Sequence, residues 1–94
     1  MPALLIRLRV RDLNTWWRVF HDEAETRRAN GARRELRLHN AKEAGECWLL
    51  LEWDDLFRAE LFVRSDEFRA ALIRAGVIDG PECWYLEGIA PDLT

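Results

Sequence analysis

Apolar and polar residues alternate along the start of the chain. From Leu4 onward, Leu4, Ile6, Leu8 and Val10 share one side and Leu5, Arg7, Arg9 and Arg11 the other. Period two marks a strand with one buried face, over residues 3–11. The spacing then changes to i, i+3, i+4 through Leu13, Trp16/Trp17, Phe20 and Ala24, the stripe of an amphipathic helix. Asp12 or Asn14 suits its N-cap, and Arg27-Arg28 followed by Asn30-Gly31 suits its end. Alternation returns over 32–40, with Leu36 and Leu38 on one side and Glu35, Arg37 and His39 on the other. A polar hairpin connection, Asn40 to Gly45, leads to residues 46–53, which are apolar on both faces and predict a central strand. Asp54-Asp55 opens a second helical region over 55–75, broken near Ser65, which caps its second piece. Residues 82–89, launched by Gly80-Pro81, predict the fourth strand.

Strand, helix, strand, strand, helix, strand is a ferredoxin-like order. It predicts an α+β fold, βαββαβ, with an antiparallel sheet in order 4-1-3-2 and helices on one face only. The other face is left to a partner. Ninety-four residues make one domain, 1–94, near the small end of what folds without staples. Such a chain buries only about 60–65% of its unfolded surface. Five Trp in so short a chain exceed what its interior hides, and Trp is enriched at interface cores. A homodimer is the expected partner arrangement.

Charge and cysteine usage narrow the classes. The net charge of −3 argues against a nucleic-acid binder. No apolar run approaches the ~20 residues that span a bilayer, so no membrane partner is expected. The start Met1-Pro2-Ala3 has none of the parts of a secretion signal. Cys47 and Cys83 alone make a disulfide framework unlike this chain, and a reducing cytoplasm is the expected location.

The chain resembles the dimeric α/β-barrel superfamily, which includes cofactor-independent antibiotic-biosynthesis-type monooxygenases and small polyketide cyclases. The resemblance covers nearly the whole chain. Residues 10–20, from Val10 through Trp16 to Phe20, are similar to the strand-to-helix entry of a bacterial branch of that group whose activity is unassigned. Glu52-Trp53-Asp54-Asp55, Ser65-Asp66-Glu67-Phe68, Ala75-Gly76-Val77 and Gly80-Pro81 resemble that branch's second half. The likeness implies two sheets packed face to face into a barrel, with ligands between sheet and helices or inside the barrel.

Candidate chemistry falls into three groups. On the open sheet face, Arg7, Arg9, Arg37, His39, Trp48, Glu52, Tyr85 and Glu87 are expected together. Paired arginines there suit an anionic oxygen, and His39 suits proton transfer near neutral pH. Cross-strand ion pairs and dimer contacts are the preferred reading of the same residues. His21, one residue past Phe20, is a second base candidate but falls at the edge of the stripe, as a partly exposed residue beside Trp17. Third, Trp16, Trp17, Phe20, Phe57, Phe62 and Phe68 suit a pocket for a small aromatic ligand, although Trp16 and Trp17 cannot both point inward. The ligand-contacting expectation is thus Trp16, Trp17, Phe20, Arg7, Arg9, Trp48, Glu52 and Tyr85, with Arg7, His21 and His39 as catalytic candidates. No metal site and no cofactor are expected, because two His and two Cys show no ligand spacing and no glycine-rich phosphate loop is present. The function expected is a homodimer that binds a small metabolite without strong catalysis. The alternative is a cofactor-free monooxygenase or cyclase acting on an aromatic substrate.

Overall fold

The computed structural model describes residues 1–88. Its elements are β1 (Ala3–Val10), α1 (Leu13–Asp22), α2 (Ala24–Ala29), β2 (Ala32–His39), β3 (Glu46–Trp53), α3 (Leu56–Arg64), α4 (Asp66–Arg74) and β4 (Val77–Leu86). The four strands form one antiparallel sheet in the order β2-β3-β1-β4. This is the ferredoxin-like α+β arrangement, and 4-1-3-2 is the same order read from the other edge.

Local chemistry explains each helix boundary. The Asp12 carboxylate accepts from the Asn14 backbone N–H at 3.0 Å and the Thr15 hydroxyl at 2.8 Å, so Asp12 is the cap of α1. Asp55 accepts from the Arg58 N–H at 2.8 Å, and the Ser65 hydroxyl from the Phe68 N–H at 3.1 Å. Ser65 therefore ends α3 and starts α4, the break its sequence predicts. The first helical region also breaks, at Glu23, where the sequence reads as one continuous helix. Among the described residues no helix is long and apolar enough to cross a membrane.

Leu4, Ile6, Leu8 and Val10 of β1 meet Cys47, Leu49, Leu51 and Trp53 of β3 under the helix layer. Helices contribute Trp16, Phe20, Ala59, Phe68 and Ala71 to that core. Trp53 packs on Phe62 at 5.2 Å between ring centroids, and Phe62 on Phe68 at 4.5 Å. The β2–β3 connection is pinned to β1, since Val10 N–H donates to the Gly45 carbonyl at 2.8 Å. Gly45 has φ +86°, and a Cβ there would lie 2.5 Å from the Val10 carbonyl oxygen, so only glycine fits.

Strand four differs from its sequence reading. It starts at Val77, carries Gly80-Pro81 within it at a register shift against β1, and ends at Leu86. Extra pairing with Arg9 and Val10 draws the start of the strand forward. Glu87 lies past its end, and Ile89 lies outside the described residues.

Candidate functional site

Cross-strand partners share a face, so the register assigns every strand side chain. On the open face Leu36, Leu50, Leu5 and Trp84 form one row across all four strands. The next row is Leu38, Trp48, Arg7 and Glu82. Arg7 donates to Glu82 at 2.7 Å and to Glu46 at 2.9 Å. Glu46 also accepts from the Trp48 indole at 2.9 Å, and Trp48 stacks on Trp84 at 6.2 Å. Arg9 approaches Glu43 at 3.5 Å, and Arg34 pairs with Glu52 at 3.2 Å. Arg7, Arg9, Trp48 and Glu52 thus share this face, each charged group among them matched to an opposite charge.

Three residues expected there belong elsewhere. Arg37 and His39 pair with Leu49 and Cys47, and Tyr85 pairs with Leu4, which places all three on the helix side of the sheet. Arg37 lies over the Trp17 ring at 5.4 Å, and His39 is exposed at the end of an edge strand. Leu36 and Leu38 take the open face instead, Leu38 with 56% exposure. The reason is an ion pair between a buried arginine and a carboxylate that is 23% exposed. Arg27 is 4% exposed and donates to both oxygens of Glu35, from Nε at 2.6 Å and Nη2 at 3.0 Å. Glu35 must face the helices to meet it, and alternation then carries Arg37 and His39 to the same side.

The same arginine forms one wall of a cavity of about 210 Å³ between the α1/α2 and α3/α4 layers. Four aromatic residues, Trp16, Phe20, Phe62 and Phe68, line it together with Leu61 and Ala71. Its polar lining comes from the two helix breaks and the α2 end: Glu23, Thr26, Arg27, Asn30, Arg58, Ser65 and Glu67. Arg27 stacks on the Phe20 ring at 3.5 Å and donates from Nη1 to the Phe20 carbonyl at 2.7 Å. Arginines bridge the two helix layers. Arg58 donates to the Asn30 carbonyl at 3.1 Å, and Arg74 meets Glu23 at 3.4 Å.

Of the residues expected to touch a ligand, Trp16 and Phe20 line this cavity. Trp17, the other neighbour, is half-buried beneath Arg37, as the ~100° between successive helix positions requires. His21 is exposed and outside the cavity lining, and Phe57 is 64% exposed. Neither His21 nor His39 lines this cavity. Sequence alone gives Arg27 no place in a cavity, because two adjacent arginines at a helix end suit the dipole. Its signal was position, since it falls seven residues after Phe20 on the apolar stripe.

Burial disfavours the thiolate form of both cysteines. Cys47 and Cys83 are free and flank β1, opposite Leu8 and Ile6. Burial, with the Glu46 charge second, pushes the Cys47 thiol up to about 11. Burial raises Cys83 as well. Among the described residues no three His, Cys, Asp or Glu side chains group as metal ligands.

An antiparallel 2-3-1-4 sheet with one bare face and an aromatic cavity under two broken helices describe a small ferredoxin-like α+β domain. Solved structures of that class match it over nearly its full length. A protein from Deinococcus radiodurans described as an antibiotic biosynthesis monooxygenase is 18% identical with a TM-score of 0.71, over 100% of this chain and 99% of that one. SnoaB, a cofactor-independent oxygenase from Streptomyces nogalater, is 13% identical with a TM-score of 0.76, covering 96% and 94%. A further protein so described, from Caulobacter crescentus, is 20% identical with a TM-score of 0.75, covering 95% and 90%. The chain has the fold of the antibiotic biosynthesis monooxygenases. No family model and no curated protein sequence matches it.

The open-face network has a pH signature. Hydrogen bonding from the Trp48 indole, then from Arg7 and Asn40, holds the Glu46 carboxyl below its ordinary 4.5 against the opposing effect of burial. A carboxyl lowered by folding stabilises above its unfolded value, and that contribution is lost as pH falls through the folded value. Melting scans from pH 6 to pH 3 should therefore show a shallower decline for Glu46→Gln than for wild type.

Proposed function

We propose that this protein is a homodimer, closed sheet against sheet, that binds a small aromatic metabolite beneath its helices without strong catalysis. The observation that carries the proposal is the cavity: four aromatic walls and one buried guanidinium, with no base positioned inside by either histidine. Its size indicates the ligand. An apolar cavity of roughly 150 Å³ takes benzene, so about 210 Å³ suits one or two fused rings.

Support for the dimer is the open face. The Leu36–Leu50–Leu5–Trp84 row is apolar across the whole sheet, with Leu38 and Trp48 beside it. Four strands at ~4.8 Å and eight residues at ~3.3 Å give about 500 Å² per copy, or ~1,000 Å² in total, the threshold of a specific interface. A second copy brings the same apolar row and the same balanced charges, so the face is self-complementary. Free Cys47 and Cys83 suit a reducing cytoplasm.

A second reading, an oxygenase or cyclase needing no cofactor, is favoured by the likeness to SnoaB and by the carboxylates of Glu23 and Glu67 on the cavity lining. The two readings differ in oxygen consumption. With 1,4-naphthohydroquinone, an oxygen electrode should register no uptake above the uncatalysed rate. Uptake that Ala71→Phe abolishes would establish the enzyme instead.

Two outcomes check the main reading. Sedimentation at micromolar concentration should give twice the monomer mass, and Trp48→Ala should weaken the dimer by about 1–4 kcal/mol. Ala71→Phe, which places a ring in the cavity, should abolish calorimetric binding of naphthalene-sized compounds while the dimer persists.

A further inference from the structure

We propose that Arg27, held by Glu35, recognises an oxygen acceptor on the ligand, and that the ligand is an uncharged one- or two-ring aromatic carbonyl or hydroxyl compound. This inference rests on the cavity being the binding site. It adds the residue that reads the ligand and the chemical class it selects.

Valence supplies the first argument. A guanidinium carries five N–H donors and no acceptor. Glu35 takes one from Nε and one from Nη2, and the Phe20 carbonyl takes one from Nη1. One N–H on each terminal nitrogen is left, on a side chain 4% exposed in the wall of an aromatic cavity. A buried donor without an acceptor is costly, so an oxygen brought in by a ligand is worth more there than at a solvated arginine. The group is also rigid. Two bonds to Glu35, one to the backbone and a stack on Phe20 fix its plane, so little is lost in ordering it.

Charge supplies the second. Glu35 balances Arg27, Asp55 balances Arg58, and Arg74 balances Glu23. Among the described residues, Glu67 is the cavity-lining charge that no opposite charge matches. Glu67 is exposed in the first turn of α4, so it adds no buried charge. With Arg27 neutralised by Glu35, the wall holds no net positive charge to offset burying a carboxylate or phenolate. An uncharged oxygen accepts the guanidinium hydrogens without that desolvation cost. The aromatic walls take the ring.

The test compares three probes on one skeleton by titration calorimetry: 1-naphthol, naphthalene and 1-naphthoate. Wild type should bind 1-naphthol at least about tenfold more tightly than naphthalene, the ratio a hydrogen bond to a charged group gives, and more tightly than 1-naphthoate. In Arg27→Met/Glu35→Met, which removes both charges together, the naphthol-to-naphthalene ratio should fall to within about twofold. Equal wild-type affinity for 1-naphthol and naphthalene leaves the cavity as the binding site but overturns the role of Arg27. Tighter binding of 1-naphthoate overturns the uncharged class. Failure of all three probes to bind overturns the cavity reading and this inference with it. The wild-type comparison decides even where the double variant does not fold.

Discussion

Arg27 and Glu35 are the contact on which the two faces of this molecule depend. A short helix offers a guanidinium to the core, and a carboxylate on the edge strand turns inward to receive it. Because strand side chains alternate, that one choice decides the orientation of β2 from Glu35 to His39, beyond the register shift that follows Ala32. Glu35, Arg37 and His39 go under the helices, while Leu36 and Leu38 go to the bare face. The polar group in the cavity and the two leucines that β2 adds to the open face are consequences of the same ion pair. Removing Glu35 would leave the buried Arg27 uncompensated, which is why the arrangement holds.

Five tryptophans are then distributed by these two demands. Trp16 and Trp53 are fully buried, and their indole N–H groups find no acceptor among the described residues. Such orphan donors cost about 1–3 kcal/mol each, which the area the rings bury offsets. Trp17 sits at the margin under Arg37, and Trp48 and Trp84 stack together on the open face. Small domains gain stability slowly with size. A chain that exposes Leu36, Leu38, Trp84 and Leu86 on one sheet surface has put part of its hydrophobic surface where only another molecule can cover it.

Much of this was legible in the sequence. The strict alternation of Leu4 to Val10, the double-sided apolarity of 46–53, a cap at Asp12 or Asn14, the Asp54-Asp55 helix start and the Ser65 cap each predict an element found in place. Strand order followed from element order. The facing of β2 was not legible, because its leucines read as core and its charges as surface. The Arg27–Glu35 pair that inverts this joins elements whose contact no periodicity encodes. Trp16 and Phe20 stood out by stripe position, but a cavity depends on how far two helix layers stand apart. The kink at Glu23, which carries no Gly or Pro, gives no local sign of itself.

The pair can be weighed directly by a double-mutant cycle in urea, using Arg27→Met, Glu35→Met and the two together. A coupling energy above about 1 kcal/mol is predicted, each single change costing more than its share of the double. Single-variant costs that add to the double within about 0.5 kcal/mol would show that the two side chains stabilise the fold independently. The facing of Glu35 to His39, the cavity's polar wall and the place of Leu36 and Leu38 on the open face would then need another cause.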